Sequence, residues 1–239
     1  MLVNLLLLLV VTHALSNDLW DSWYTIKTSN GKELIRYGKY HETVQESEGR
    51  IIGQISAWKK ERGFVKNEQI GAAIDKKSNE PIFFNYLSTL AEQNIKIDGT
   101  FKKSENTRTL TTIVKLGKTK HPTKEHNAPQ SLVLSTLFSY WLSNQYLKLT
   151  PKNIISFKVL YEDDFQSNFS PKKGTAEQVK DDAFSTLSKT MKVRITIGRN
   201  KTFWYLDKKG HALRIQSDQF QWVSDRVNEK TAEKFLPTK

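Results

Sequence analysis

Cysteine is absent from all 239 residues, which removes disulfides, thiolate metal sites and cysteine nucleophiles together. The catalytic signatures legible from spacing alone are missing as well. There is no G-x-S-x-G elbow, no phosphate-cradling glycine loop and no dinucleotide fingerprint. No linker and no internal repeat divides the chain, so residues 17–239 are expected to form one domain. These absences leave no reaction to read. The sequence predicts a protein that is not an enzyme and needs no cofactor.

The first sixteen residues differ from the rest. Leu2, Val3 and the run from Leu5 to Val11 form a short apolar stretch, and Ala14 and Ser16 follow as small residues. That order predicts a secretory signal peptide over 1–16, cut before Asn17. The run is too short to cross a bilayer comfortably, and Lys and Arg are missing near Met1. No cysteine follows the leader, which excludes a lipid-modified N-terminus of the bacterial lipoprotein type. An exported chain without disulfides points to a bacterial envelope, periplasmic or secreted, rather than to an animal secretion.

Thirty-seven Lys and Arg against 25 Asp and Glu give a net charge of +12. The leader carries none of it. Outside the cytoplasm such a surface meets anionic lipid head groups or acidic polymers more readily than nucleic acid. The pairs Lys59-Lys60, Lys76-Lys77, Lys102-Lys103, Lys172-Lys173 and Lys208-Lys209 fall mostly at expected turns. Lysine there commonly protects strand edges.

Alternation of apolar and polar residues predicts seven consecutive strands before residue 119, joined by short turns such as Asn30-Gly31 and Glu48-Gly49. In Arg50 to Lys60, Ile51, Gly53, Ile55 and Ala57 share one face, and Ile52 and Trp58 take the other. Gly99 is a candidate bulge. Thr119 to Asn127 reads as a polar loop, Ile154 to Tyr161 as a strand and Glu162 to Gly174 as a loop. Thr175 to Thr190 is compatible with helix or strand. Four further strands between Lys192 and Val227 and a closing helix over Asn228 to Phe235 complete the pattern.

Pro129 to Leu149 is the one long helical candidate. Val133, Leu134, Leu137, Phe138 and Trp141 form an apolar face, and Ser135, Ser139 and Ser143 recur on the opposite side. Asn127 and Pro129 supply start signals, and Pro151 bars continuation. The fold expected is mainly β: a strongly curved antiparallel sheet, a half-barrel, wrapped around this central helix, with a short helix at the C-terminus.

Trp23-Tyr24-Thr25-Ile26, Gly31-Lys32, Ile35-Arg36-Tyr37 and His41-Glu42-Thr43-Val44 resemble the opening of a family of bacterial envelope β-proteins of unknown function. Trp204-Tyr205-Leu206-Asp207, Gly210 and Leu213-Arg214-Ile215 resemble its closing hairpin. Arg36 stands where that family would have glycine. Such proteins look like distant relatives of periplasmic lipoprotein-localisation carriers, whose half-barrel covers an apolar cavity. The resemblance implies no catalytic residue.

The titratable groups give little chemistry. His121 and His126 flank Glu125 in a polar stretch without a third ligand at a recognised spacing, so no metal is expected. Glu162, Asp163 and Asp164 read as a solvated turn. The aromatics are more informative. Trp58, Phe83, Tyr86, Leu134, Leu137, Phe138, Trp141, Trp204 and Trp222 are the candidate lining of an apolar pocket between helix and sheet. With a cationic mouth, that pocket would bind or carry an anionic amphiphile or a lipoprotein. The alternative is a solid adaptor domain that docks on another envelope protein through a sheet edge or basic face.

Overall fold

The computed structural model describes residues 17–29, 34–61, 64–91, 93–104, 107–217 and 222–235. The expected leader and the turn positions Asn30-Gly31 and Arg62-Gly63 lie outside them. Strands β1 (Asn17–Ser29), β2 (Leu34–Ser47), β3 (Arg50–Glu61), β4 (Phe64–Asp75), β5 (Pro81–Leu90), β6 (Gln93–Lys103) and β7 (Arg108–Leu116) form the expected meander. Each pairs antiparallel with the next. The alternation holds in β3: Ile51 and Ala57 are buried on the concave face, and Trp58 stands on the convex one.

Thr119 to Asn127 is not a loop throughout. It contributes β8 (Thr119–Lys120) and β9 (Lys124–Asn127), which pair along the outer edge of β7. The second half supplies β10 (Leu132–Leu134), β11 (Ile155–Leu160), β12 (Lys172–Gln178), β13 (Met191–Ile197), β14 (Asn200–Leu206), β15 (Ala212–Ser217) and β16 (Trp222–Val227). β16 pairs with β1 from Trp23↔Val227 to Thr28↔Trp222, which fuses both groups into one sheet. Among the described residues this sheet has sixteen strands and runs β10 through β16, then β1 through β8. It stays open, but it curls until β10 packs against β5. The result is a half-barrel around a central helix.

Gly99 is no bulge. The register runs without a shift from Phe84↔Gly99 to Gly99↔Thr112. A Cβ there would lie 2.2 Å from the Phe84 ring, so the glycine makes room for that side chain.

The central helix is shorter than its apolar pattern implies. Leu132 to Leu134 form β10, parallel to Lys158–Leu160 of β11. A 3-10 turn over Ser135–Leu137 then leads into α1 (Phe138–Gln145), and a second such turn covers Tyr146–Lys148. Asn127 and Pro129 therefore cap nothing; Asn127 ends β9. Three consecutive buried apolar residues have no period of their own, and pairing with the distant β11 decides their conformation.

Thr175 to Thr190 divides between the end of β12 and α2 (Ala183–Ser188). Asp182 caps α2 by accepting from the Ser185 N–H at 2.9 Å, and the Ser185 hydroxyl accepts from the Asp182 N–H at 2.8 Å. The helix lies on the convex face, where Phe184 meets Tyr205 edge-on and the Arg214 guanidinium sits 4.0 Å above the Phe184 ring. The closing helix α3 (Glu229–Glu233) is capped by Asn228.

Two apolar clusters flank the central helical segment on the concave side. Leu137 belongs to the cluster built from Val44, Ile51, Phe84, Ile97 and Leu110. Phe138 and Leu142 belong to the other, with Phe157, Val159, Val193 and Ile195. Each such buried side chain contributes about 1.5–3 kcal/mol. Adjacent residues of one short segment thus hold the two halves of the sheet together.

Candidate functional site

The clusters do not fill the concavity. A cavity of about 800 Å³ remains between α1, the middle of the sheet and one set of hairpin ends. Its walls are Ile26, Ile55, Ala57 and Ile70 on one side and Val159, Ile195, Ile197 and Ile215 on the other, with Phe138 above. Thr28, Tyr37, Lys59, Asn200, Ser217 and Trp222 line it near the strand ends, which places the mouth at that end of the sheet. Tyr40 and Glu42 continue inward along β2; the next concave residue, Val44, is part of the packed core. Glu42 therefore stands at the floor.

Of the aromatic and aliphatic candidates, the cavity brings together Phe138, Trp204 and Trp222. Trp141 lies behind Phe138, with ring centroids 5.4 Å apart, and also contacts Phe157. Leu134 and Leu137 are fully buried in the core, and Tyr86 is buried with its hydroxyl donating to Glu68 Oε1 at 2.8 Å. Phe83 takes the opposite face from Phe84. Trp58 is on the convex face, where the Lys39 ammonium lies 5.1 Å from both its ring and that of Trp23. Trp23 in turn stacks on His41, which bonds Asp21 at 2.7 Å.

The serine stripe, expected to face away, carries the polar chemistry of the site. Ser135 and Ser139 both line the cavity. The Ser135 hydroxyl donates to Glu162, and the Thr136 N–H donates to the same carboxyl at 3.0 Å. Glu162 is 0 % exposed, so the solvated turn expected for it is wrong. Burial pushes its carboxyl up, against those two bonds. Glu162 satisfies an N–H that the start of the helical segment would otherwise leave unpaired, which is why the strand β10 gives way to helix there.

Ser139, one turn on, meets Glu42. That residue is 3 % exposed, and burial pushes its carboxyl up to about 7, with the Ser139 hydroxyl pulling the other way. Tyr40 and Tyr24 stack beside it at 4.5 Å, both pushed up by burial and then by neighbouring charge. Nearer the mouth Glu68 behaves differently. Burial pushes it up, but the Lys59 ammonium at 2.7 Å outweighs that, and with Lys66 and Tyr86 it holds the carboxyl at about 2. One wall group is thus a paired ion, and the floor group is a carboxyl that titrates near neutral pH.

Glu42 had a legible signal. In Tyr40-x-Glu42-x-Val44 a carboxylate occupies the apolar face of a strand. The partners of Glu162 were not legible, because Ser135 and Thr136 lie more than twenty residues away. Those of Glu68 are nearer, Lys66 on its own strand and Lys59 and Tyr86 on the two strands beside it.

The lysine pairs divide between the two ends of the sheet. Lys59-Lys60 and Lys172-Lys173 fall at the cavity end, with Arg199 and Lys201 on the β13–β14 hairpin. Lys76-Lys77, Lys102-Lys103 and Lys208-Lys209 fall at the other end. His126 is bonded to Thr112 and lies against Phe169, and His121 is exposed. Among the described residues no helix is long and apolar enough to cross a membrane. The chain matches no protein-family model, no curated protein and no solved structure.

Proposed function

We propose that the protein binds a lipid-like amphiphile in the concave face of its sheet, as a carrier of the bacterial envelope rather than an enzyme. The cavity carries this reading: about 800 Å³, walled mainly by isoleucine, valine and aromatic side chains. That volume falls inside the range of roughly 300–1,000 Å³ usual for small-molecule sites. The apolar part of the ligand lies against Phe138, Trp204 and Trp222. An anionic head group, of a free amphiphile or of a lipoprotein, remains at the mouth among the lysines and Arg199. Those charges speed capture at low salt, and apolar contact sets retention. Docking through a sheet edge has less support, because the β8 and β9 edge is short and carries Lys120 and Lys124, which blunt strand addition.

Displacement of a fluorescent fatty acid from delipidated protein, at two salt concentrations, tests the proposal. Saturable binding is expected in both, with faster association at low salt. Ala57→Phe projects a ring into the cavity and is expected to weaken uptake more than folding. Absence of saturable binding by the folded wild type in either salt overturns the carrier reading in favour of an adaptor.

A further inference from the structure

We infer that capture of the apolar chain is coupled to a proton on Glu42, so that the ligand binds tightly while this carboxyl is neutral and is released as it ionises. The inference rests on the carrier reading and specifies how that same cavity is regulated. Glu42 is the innermost β2 residue in the cavity wall, and only 3 % of it is exposed. Among the described residues, Ser22 lies opposite it on β1 with Tyr24 next on that face, Tyr40 precedes it on β2, Ile55 lies opposite on β3 and Ser139 approaches from α1. The nearest cation in the lining, Lys59, is bonded to Glu68 at 2.7 Å, and Arg226 of β16 is bonded to Asp207. Glu42 therefore has a hydroxyl partner but no ion-pair partner among the described residues.

An apolar chain that reaches the floor displaces water from around this carboxyl. Loss of that water disfavours the charged form, so occupancy and protonation reinforce one another. The group already titrates near the physiological range, since burial, opposed by the Ser139 hydroxyl, brings it to about 7. The other acidic wall group does not compete: Glu68 stays ionised down to about 2. By linkage, affinity is constant below the pKa of the empty site and falls by up to about tenfold per pH unit above it.

The test is a titration of wild-type protein with oleoyl lysophosphatidylglycerol, whose phosphodiester keeps its charge throughout, from about pH 5.5 to about pH 8.5, a span that brackets the usual range of carboxyl and imidazole switching. Affinity is expected to fall at least about tenfold across the upper half of that range. Glu42→Gln, permanently neutral and of the same shape, is expected to bind at every pH as the wild type does at low pH. Glu162→Gln, which alters the buried carboxyl outside the cavity wall, is expected to keep the wild-type slope. Calorimetry of the wild type in two buffers of different ionisation enthalpy reads the same coupling without a variant, as proton uptake approaching one per ligand above neutrality. Saturable binding with a flat pH profile and no proton uptake overturns the inference and leaves the carrier reading standing. A slope lost in Glu162→Gln but kept in Glu42→Gln overturns the assignment to Glu42. Affinity that rises with pH shows a cationic group at the floor and overturns it too. Absence of binding at every pH overturns both readings.

Discussion

Gly53 of β3 lies directly beneath Leu137: a Cβ at position 53 would come within 2.6 Å of Leu137 Cδ2 and 3.3 Å of the Thr136 carbonyl oxygen. The central segment can reach the sheet only because this position has no side chain. Gly53→Ala is expected to cost about 1–3 kcal/mol, the usual range for overpacking a core. In a Leu137→Ala background the same change is expected to cost much less, since the two residues share one contact. Denaturant melts of the two single variants and the double variant read both values; strictly additive losses would contradict the contact.

Glu68 sets the response to acid. Its folded-state carboxyl is held at about 2 against an ordinary 4.5, so its stabilisation is complete above about 4.5 and is lost as pH falls through about 2. Lys59 and Lys66 are partly exposed, which screens the pair. Glu68→Gln is therefore expected to cost about 2 kcal/mol at neutral pH, with the difference from wild type closing in acid. A gap that stays constant across the acid range would contradict this.

Glu42 has the opposite sign. Its folded carboxyl is raised from 4.5 to about 7, so it costs stability progressively as pH rises from about 4.5 to about 7 and the full cost remains above that. Glu42→Gln is expected to be more stable than wild type by up to about 3 kcal/mol above neutrality, and indistinguishable from it below about pH 4. Thermal melts over that range check the sign. A variant less stable at high pH would mean that the charged form has a partner.

Asp182 holds α2 to the convex face through three bonds, from the Ser185 N–H, the Lys192 ammonium and the Tyr205 hydroxyl. Asp182→Ala is expected to cost about 1–2 kcal/mol, as lost helix caps usually do. Faster amide exchange should be confined to the residues of α2. Acceleration spread evenly over the sheet would contradict a local role.

The strands were legible because their signal is local. Ile51, Gly53, Ile55 and Ala57 alternate with Ile52 and Trp58 whatever the rest of the chain does. The start of the central helix was not. Val133 and Leu134 fit a helical face as well as a strand, and what decides between them is pairing with Lys158–Leu160 and capture of Ser135 and Thr136 by Glu162. Both come from more than twenty residues away. The same holds for the cavity. Phe138, Trp204 and Trp222 could be chosen as large apolar residues, but Trp58 and Phe83 look equally apolar in sequence and face the other way. Asp182-x-x-Ser185 was a readable cap, one in which serine takes the place usually held by Glu or Gln.

The most direct test of the carrier proposal is native mass spectrometry of protein purified from membranes without detergent exchange. The expected spectrum shows the folded chain with one amphiphile bound, lost on delipidation and regained on incubation with lipid. The Ala57→Phe variant is expected to appear mainly as the bare chain. A folded wild type that carries no adduct and takes up none on incubation would contradict the proposal.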